Sequence, residues 1–271
     1  MGMRINTNVP ALNAQRQTSQ TSSLLNRALN QLSSGLRINR AADDAAGLAI
    51  AERFRAQIAQ GQQEMENLQT GISAAQTAEG GLSAQQDQVQ RLRELAVQAS
   101  NGTLTNDQRN ALNQEAQQIL EQINTTAEQT TFNDIELLNN PAGSTNVDLG
   151  TEGTARLNVD TSTTATMNID TVDLSTAAGA TAAIDRLDQA SQQISQNRAA
   201  LGAQQNRYES AINQRSEAVL NQQESESRIR DLDVARGVLE QTRQEIRMQG
   251  GLSVLTQANV LPQNALTLLG G

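Results

Sequence analysis

Acid–base chemistry near neutral pH in this chain has to be done by carboxylates. It contains no Cys and no His, and all 20 of its Lys-or-Arg residues are Arg. That excludes thiol nucleophiles, disulfides, imidazole acid–base catalysis, zinc centres, Schiff-base chemistry and a P-loop lysine together. The 29 Asp and Glu residues remain, but none of them makes a pair that could be named as an acid–base couple. Asp148, Asp160, Asp170 and Asp173 gather in one Thr-rich stretch. A calcium site is the sharper reading of that cluster, yet it fits neither an EF-hand nor a glycine-rich calcium repeat. These acids and the many Thr around them read as the solvated face of short strands. No catalytic residue, metal or cofactor is expected, and the chain is not expected to be an enzyme.

The elements that carry these side chains must be built with few aromatics. Of 271 residues, 37% are apolar but only 1% aromatic, with two Phe, one Tyr and no Trp. Burial falls to Leu, Ile, Val and Ala, and Ala removes little surface. One or two domains fit the length, and long thin bundles suit the composition better than a compact enzyme. A net charge of −9 argues against nucleic acid or an anionic membrane as a partner. No apolar run reaches the length of a membrane span, and the first residues lack the apolar core of a secretory signal. The expectation is a protein that stays in the cytoplasm or leaves without a cleaved signal.

Helical periodicity dominates both ends. Leu12, Leu24, Leu25, Ala28, Leu29, Leu32 and Leu36 recur at three- and four-residue steps from about Val9 and predict one helical face. Gly35 is placed to end that helix in the left-handed conformation, and Asp43 or Asp44 to cap the next, which opens Ala45-Ala46-Gly47-Leu48. From Leu68 to Ala99 two heptad columns run side by side. One is Leu68, Ala75, Leu82, Val89 and Ala96; the other is Gly71, Ala78, Gln85, Leu92 and Ala99. Gly80-Gly81 weakens this ladder midway, and Asn101-Gly102 ends it as a turn. A third helix is predicted over about Asn106 to Gln129, with Leu112, Ala116, Ile119, Ile123 and Ala127 inward and a Thr105/Gln108 capping box.

The pattern changes between 130 and about 176. Ala155, Leu157 and Val159 alternate with polar residues, as do Met167 and Ile169, and Pro141, Gly143, Gly150 and Gly153 punctuate, predicting two or three short hairpin strands. Helix returns from about Ala182, with Leu187, Ile194, Leu201 and Tyr208 seven apart, Ala190 and Ala211 beside them, then Ile212 and Val219. The last stretch carries Ile229, Leu232, Ala235, Leu239, Ile246, Leu252, Leu255 and Leu261, with breaks expected at Gly250-Gly251 and Pro262. The predicted fold is mainly α: an elongated antiparallel helical bundle or coiled coil whose N- and C-terminal segments pair, with a small central β-hairpin region. Terminal helices this polar are marginal alone, so they are expected to order only on assembly.

Seven blocks, in order, resemble the bacterial flagellins. They are MRINTNVPALNAQ (Met3–Gln15), LSSGLRINRAADDAAGLAI (Leu32–Ile50), QRLRELAVQASNGT (Gln90–Thr103), TTFNDIELLN (Thr130–Asn139), ALGAQQNR (Ala200–Arg207), ESRIRDLDVA (Glu226–Ala235) and LTQANVLPQNALTLL (Leu255–Leu269). The resemblance reaches across nearly the whole chain. It implies a structural subunit that is exported unfolded through the flagellar type III apparatus and polymerises with itself into the extracellular filament for swimming motility. A hook–filament junction protein is the alternative of the same kind. The implied domains are a terminal filament core, 1–42 with 232–271, and a bundle, 43–231, with its hairpin region at about 130–176 and no large outer domains. Gly35, Asn39, Asp43 and Asp44 fall in the implied inter-domain spoke.

The resemblance also implies partners: hook-associated and cap proteins, and an export chaperone that takes the last segment as an amphipathic helix, with Leu239, Ile246, Leu252 and Leu255 as its candidate contacts. Toll-like receptor five is a further implied partner, through an RxREL pattern and a downstream Glu that fall on Arg91, Leu95 and Glu115. In the bland reading of the same three residues, Arg91 and Glu115 are solvated or ion-paired and Leu95 packs beside the seam. The zinc peptidase that some flagellins carry is excluded by the missing His, and lysine methylation by the missing Lys. Glycosylation of Ser or Thr within 144–176 stays open.

Overall fold

The computed structural model describes residues 7–140, 144–149 and 156–269, without the side chains of 144, 147, 148 and 261–269. Pro141, Gly143, Gly150, Gly153 and Ala155 of the expected hairpin lie outside the described residues, as do the side chains of Leu261 and Pro262. The architecture is mainly helical. Its elements run α1 (Val9–Ser34), α2 (Ala45–Ala99), α3 (Asn106–Gln129), β1 (Thr131–Phe132), β2 (Ile135–Glu136), β3 (Ser144–Asp148), β4 (Arg156–Asp160), α4 (Ala177–Arg230) and α5 (Val234–Leu269). Two units divide the chain: Met1–Ile58 with Leu220–Gly271, and Ala59–Val219.

The unit Ala59–Val219 is built on the two heptad columns of α2. All ten residues of those columns are buried, and cross-links show what covers them. Gln85 reaches Ile123 on α3 and Gln86 reaches Ser191 on α4, while Arg93 pairs with Asp188 and Arg198 with Glu79. Residue numbers rise along α2 as they fall along both partners, so α3 and α4 lie antiparallel to it. Leu187, Ile194, Leu201 and Tyr208 supply the facing column from α4. Leu and Ala, with a few Val and Ile, fill this core almost alone, as the scarcity of aromatics requires.

Local chemistry sets the ends of α3. Thr105 accepts from the Gln108 amide at 3.3 Å while the Gln108 side chain accepts from the Thr105 amide at 2.9 Å, closing a capping box. Gly80 and Gly81 do not break α2. A Cβ at Gly81 would fall 2.5 Å from the Thr130 hydroxyl and 2.8 Å from a Leu138 methyl, so this glycine lets the hairpin region lie directly on the helix.

That region holds two antiparallel pairs, β1 with β2 and β3 with β4. Asn133 and Asp134 turn the first pair at φ of 52° and 62°, the left-handed pair that a two-residue hairpin demands. Leu157 and Val159 of β4 face inward and their neighbours outward, as the alternation predicts. Met167 and Ile169, expected on a strand, lie instead in a tight turn. The Met167 amide donates to Thr163 O, the Ile169 amide to Thr164 O, and Asn168 takes φ 56°. Both side chains are buried, so a period of two came from a turn that tucks alternate residues inward.

The Thr-rich stretch departs from expectation too. Asp160, Asp170 and Asp173 are exposed, but Thr145, Thr161, Ser162 and Thr164 are buried. Their hydroxyls find partners: Thr161 donates to Asn140 O at 2.8 Å and Thr145 to Glu136 O at 3.1 Å. Gln85 completes the fastening, with its Nε2 donating to Ile123 O at 3.2 Å and Ser162 O at 2.7 Å. The one polar residue in the buried heptad columns thus anchors the loop that follows β4.

Helix α4 starts at Ala177, earlier than the hydrophobic pattern shows, because Thr176 caps it by accepting from the Gly179 amide at 3.0 Å. Helix α5 runs through Gly250-Gly251 and on past Pro262 without the expected breaks.

Candidate assembly interface

Within the unit Met1–Ile58 with Leu220–Gly271, α1 and α5 pack on each other. Asn8 binds Ala258, Thr18 lies against Gly251 and Leu32 against Gly237, so the two helices are antiparallel. Their seam has a strict three–four spacing. On α1 the covered positions include Ala11, Ala14, Thr18, Thr21, Leu25, Ala28 and Leu32, with Ser22 and Gln31 half-buried beside them. On α5 they are Gly237, Gln241, Gln244, Met248, Gly251, Leu255 and Ala258.

This corrects the sequence reading of the arms. Leu25, Ala28 and Leu32 lie in the seam, but Leu12, Leu24 and Leu29 are each more than 40% exposed. The heptad of small and polar residues was present in the sequence, masked by larger residues beside it. Small residues allow close approach, and buried polar positions such as Thr21 and Gln244 specify register at a cost in stability.

The seam leaves a second apolar face on α5. Leu239, Ile246 and Val260 recur on seven-residue steps, with Ser253 between them, and Val238 and Leu252 flank this row. Leu239 is 70% and Ile246 65% exposed. In an isolated two-helix coiled coil the outward row is polar. Here it carries some of the largest apolar side chains of the helix. Of the candidates named from sequence, Leu239, Ile246 and Leu252 lie on the outer face, whereas Leu255 belongs to the seam.

The α1–α2 connector gathers the other four candidates. Gly35 ends α1 at φ 70°, a conformation that costs a side-chain-bearing residue about 1 kcal/mol or more. Asp43 accepts from the backbone amides of Asn39 and Arg40 at 3.3 and 3.1 Å and pairs with Arg27 at 3.3 Å. Asp44 caps α2 through the Gly47 amide at 2.9 Å. The α4–α5 connector is stitched alongside: the Arg37 amide donates to Arg230 O at 2.7 Å and the Leu232 amide to Gly35 O at 2.9 Å, around a bridge between Leu36 and Asp231. Arg230, whose side chain is only 13% exposed, pairs with Glu52 and Glu226 at 3.4 and 3.7 Å. Sequence reasoning missed this clasp, since its members lie almost 180 residues apart.

On the other unit, Arg91 pairs with Glu115 at 2.8 Å and Glu94 at 3.1 Å, all at the surface. Hydrogen bonding to Glu115, then to Glu94, raises the Arg91 pKa above the usual arginine value. Leu95 is 2% exposed and lies in the core. Among the described residues no group of three or more acids is placed to hold a metal ion, and no helix is long and apolar enough to cross a membrane.

Comparison with known proteins places this arrangement. Residues 5–142 match the model of the bacterial flagellin N-terminal helical region, and residues 184–269 that of the bacterial flagellin C-terminal helical region. A flagellin of Halalkalibacterium halodurans is 42% identical over 271 residues, covering 98% of this chain and all of that one. The flagellar filament 33 kDa core protein of Treponema phagedenis is 37% identical over 289 residues, with the same coverage. A putative flagellar hook-associated protein from Vibrio parahaemolyticus, 17% identical, superposes with a TM-score of 0.51 over 69% of this chain and 99% of that one, which is a likeness of fold alone.

Proposed function

The chain belongs to the bacterial flagellin family and is a structural subunit of the flagellar filament; from that premise we propose that it assembles through the terminal region, 1–42 with 232–271, and that the outward face of α5 is closed by other copies. One observation carries this reading: Leu239 and Ile246 stand open on a helix whose other apolar face is already used. Burying a leucine-sized side chain contributes about 1.5–3 kcal/mol. A row of them repeated in every subunit gives lattice contacts free energy that a seam with so many Ala, Gly, Thr and Gln positions supplies only weakly. Subunits that bind the lattice in the folded form stabilise that form by mass action.

The same weakness suits export. A helix pair held largely by small and polar residues is marginal alone, so the arms pass unfolded through the type III apparatus and fold at the growing tip. Before that, the outer row of α5 is an amphipathic helix face of the kind an export chaperone takes into a groove, with Leu239, Ile246 and Leu252 as its anchors. Hook-associated and cap proteins meet the same face at the filament ends. Receptor recognition by Toll-like receptor five would rest on Arg91 and Glu115, which are exposed, while Leu95 would act from within the core by supporting the helix that presents them.

Electron microscopy of purified monomer after salting-out with sulfate, with and without sheared filament seeds, tests assembly. Wild type is expected to give long uniform filaments. Leu239→Glu with Ile246→Glu is expected to stay monomeric while retaining the helical signal of the unit Ala59–Val219. Filaments of normal length and yield from the double variant would rule out the outer face of α5 as the interface.

A further inference from the structure

Between the carboxylate range near pH 4 and the arginine range above about pH 12, one side chain in this protein can change charge. There is no His, Cys or Lys and a single Tyr, Tyr208. Every ion pair among the described residues joins an Arg to an Asp or Glu, including Arg93–Asp188, Arg91–Glu115, Arg230–Glu52 and Arg215–Glu64. A lysine in any of these pairs would shed its proton near pH 10, and a guanidinium does not.

Tyr208 sits on α4 as the last member of the column Leu187, Ile194 and Leu201, 4% exposed. Its hydroxyl is buried and, among the described residues, has no hydrogen-bond partner. The charged groups around it are Glu64 from α2 and Arg207 and Arg215 from α4, and Glu64 and Arg215 are paired with each other.

We infer that Tyr208 is the alkaline trigger of the unit Ala59–Val219, which opens when this phenol is forced to ionise. Burial raises the Tyr208 pKa above its ordinary value, opposed in lesser measure by Arg207. The sign follows from proton binding. Below the unfolded pKa of about 10 both states hold the phenol proton, and stability does not depend on it. Above that pH the unfolded chain has lost the proton and the folded one retains it. The ratio of folded to unfolded protein then falls about tenfold per pH unit until the folded pKa is reached.

Having one Tyr and no Trp makes the trigger directly visible, because the phenolate absorbance band reports Tyr208 alone. Full-length monomer is titrated from neutral to strongly alkaline pH while that band and the far-ultraviolet helix signal are followed together, beside a urea-unfolded reference. The expected result is a band that lags behind the reference and then rises together with loss of helix. Tyr208→Phe, which removes a hydroxyl with no partner, is expected to fold at neutral pH and to move the alkaline midpoint upward by about half a pH unit or more. A band that rises with the unfolded reference while the helix signal stays intact overturns the inference. So does helix loss below the reference titration, or an unchanged midpoint in Tyr208→Phe. Should that variant not fold, the wild-type titration alone decides.

Discussion

Asn8 Nδ2 donates to the carbonyl oxygen of Ala258 at 2.8 Å, joining residues 250 positions apart. The same side chain caps α1, its Oδ1 accepting from the Ala11 amide at 3.1 Å. One short amide thus starts the first helix and ties it to the last.

Asn8→Ala should therefore cost more than an ordinary cap. Loss of the cap alone is worth about 1 kcal/mol, and the clip to α5 adds to it. The expected outcome is a lower melting temperature of assembled filaments and a higher critical concentration, measured by sedimentation, with the unit Ala59–Val219 unchanged in the monomer. A critical concentration equal to wild type would show that the clip does not survive in the lattice.

Gly237 is covered by Leu32 and Leu232, and a Cβ there would fall 2.9 Å from a Leu32 methyl and 3.0 Å from a Leu232 methyl. Gly237→Val is expected to spread the seam and reduce seeded elongation strongly. Gly250→Ala, with nothing within 4 Å of its added carbon, should elongate normally. Equal elongation rates for the two, read by light scattering, would count against a close-packed seam.

Gln85→Ala leaves Ser162 O without its donor, and takes the second donor from the helical Ile123 O, in a fully buried place. A loss of about 1–3 kcal/mol is expected in chemical denaturation, with faster hydrogen exchange in 161–169. Unaltered exchange there would mean that the Thr hydroxyls hold the loop unaided.

Gly35 at φ 70° ranks its own substitutions. Asn should be tolerated best, Ala should cost about 1 kcal/mol and Val more. Thermal melts of assembled filaments carrying each variant check the order; Val melting with wild type would remove the connector from the folding argument.

Arg230 stands between Glu52 and Glu226 with little solvent access. Arg230→Met leaves both acids without that partner and is expected to destabilise the paired connectors. Adding Glu226→Gln should recover part of the loss. Failure of the second change to help would locate the effect in packing rather than charge.

What could be read from the residues was what short-range physics controls. The start of α3 came from Thr105 and Gln108, the end of α1 from Gly35, and the buried columns of α2 from a heptad that allows one solution. The resemblance to flagellins rested on ordered blocks that needed no coordinates. Periodicity shows that a face is buried without showing what covers it. On α5 two apolar faces compete, and the seam went to Gly237, Gln244, Gly251 and Ala258 because small residues let α1 come close, leaving Leu239 and Ile246 outside. Met167 and Ile169 mimicked a strand because a turn can also bury alternate residues, and Thr161 and Thr164 went inward because partners distant in the chain satisfied their hydroxyls. The sequence by itself determined which segments are helical, where α1 ends and where α3 begins, because caps and heptads act over a few residues. Only the tertiary structure decided which face of each helix stays open for assembly, because that choice depends on how closely two backbones approach.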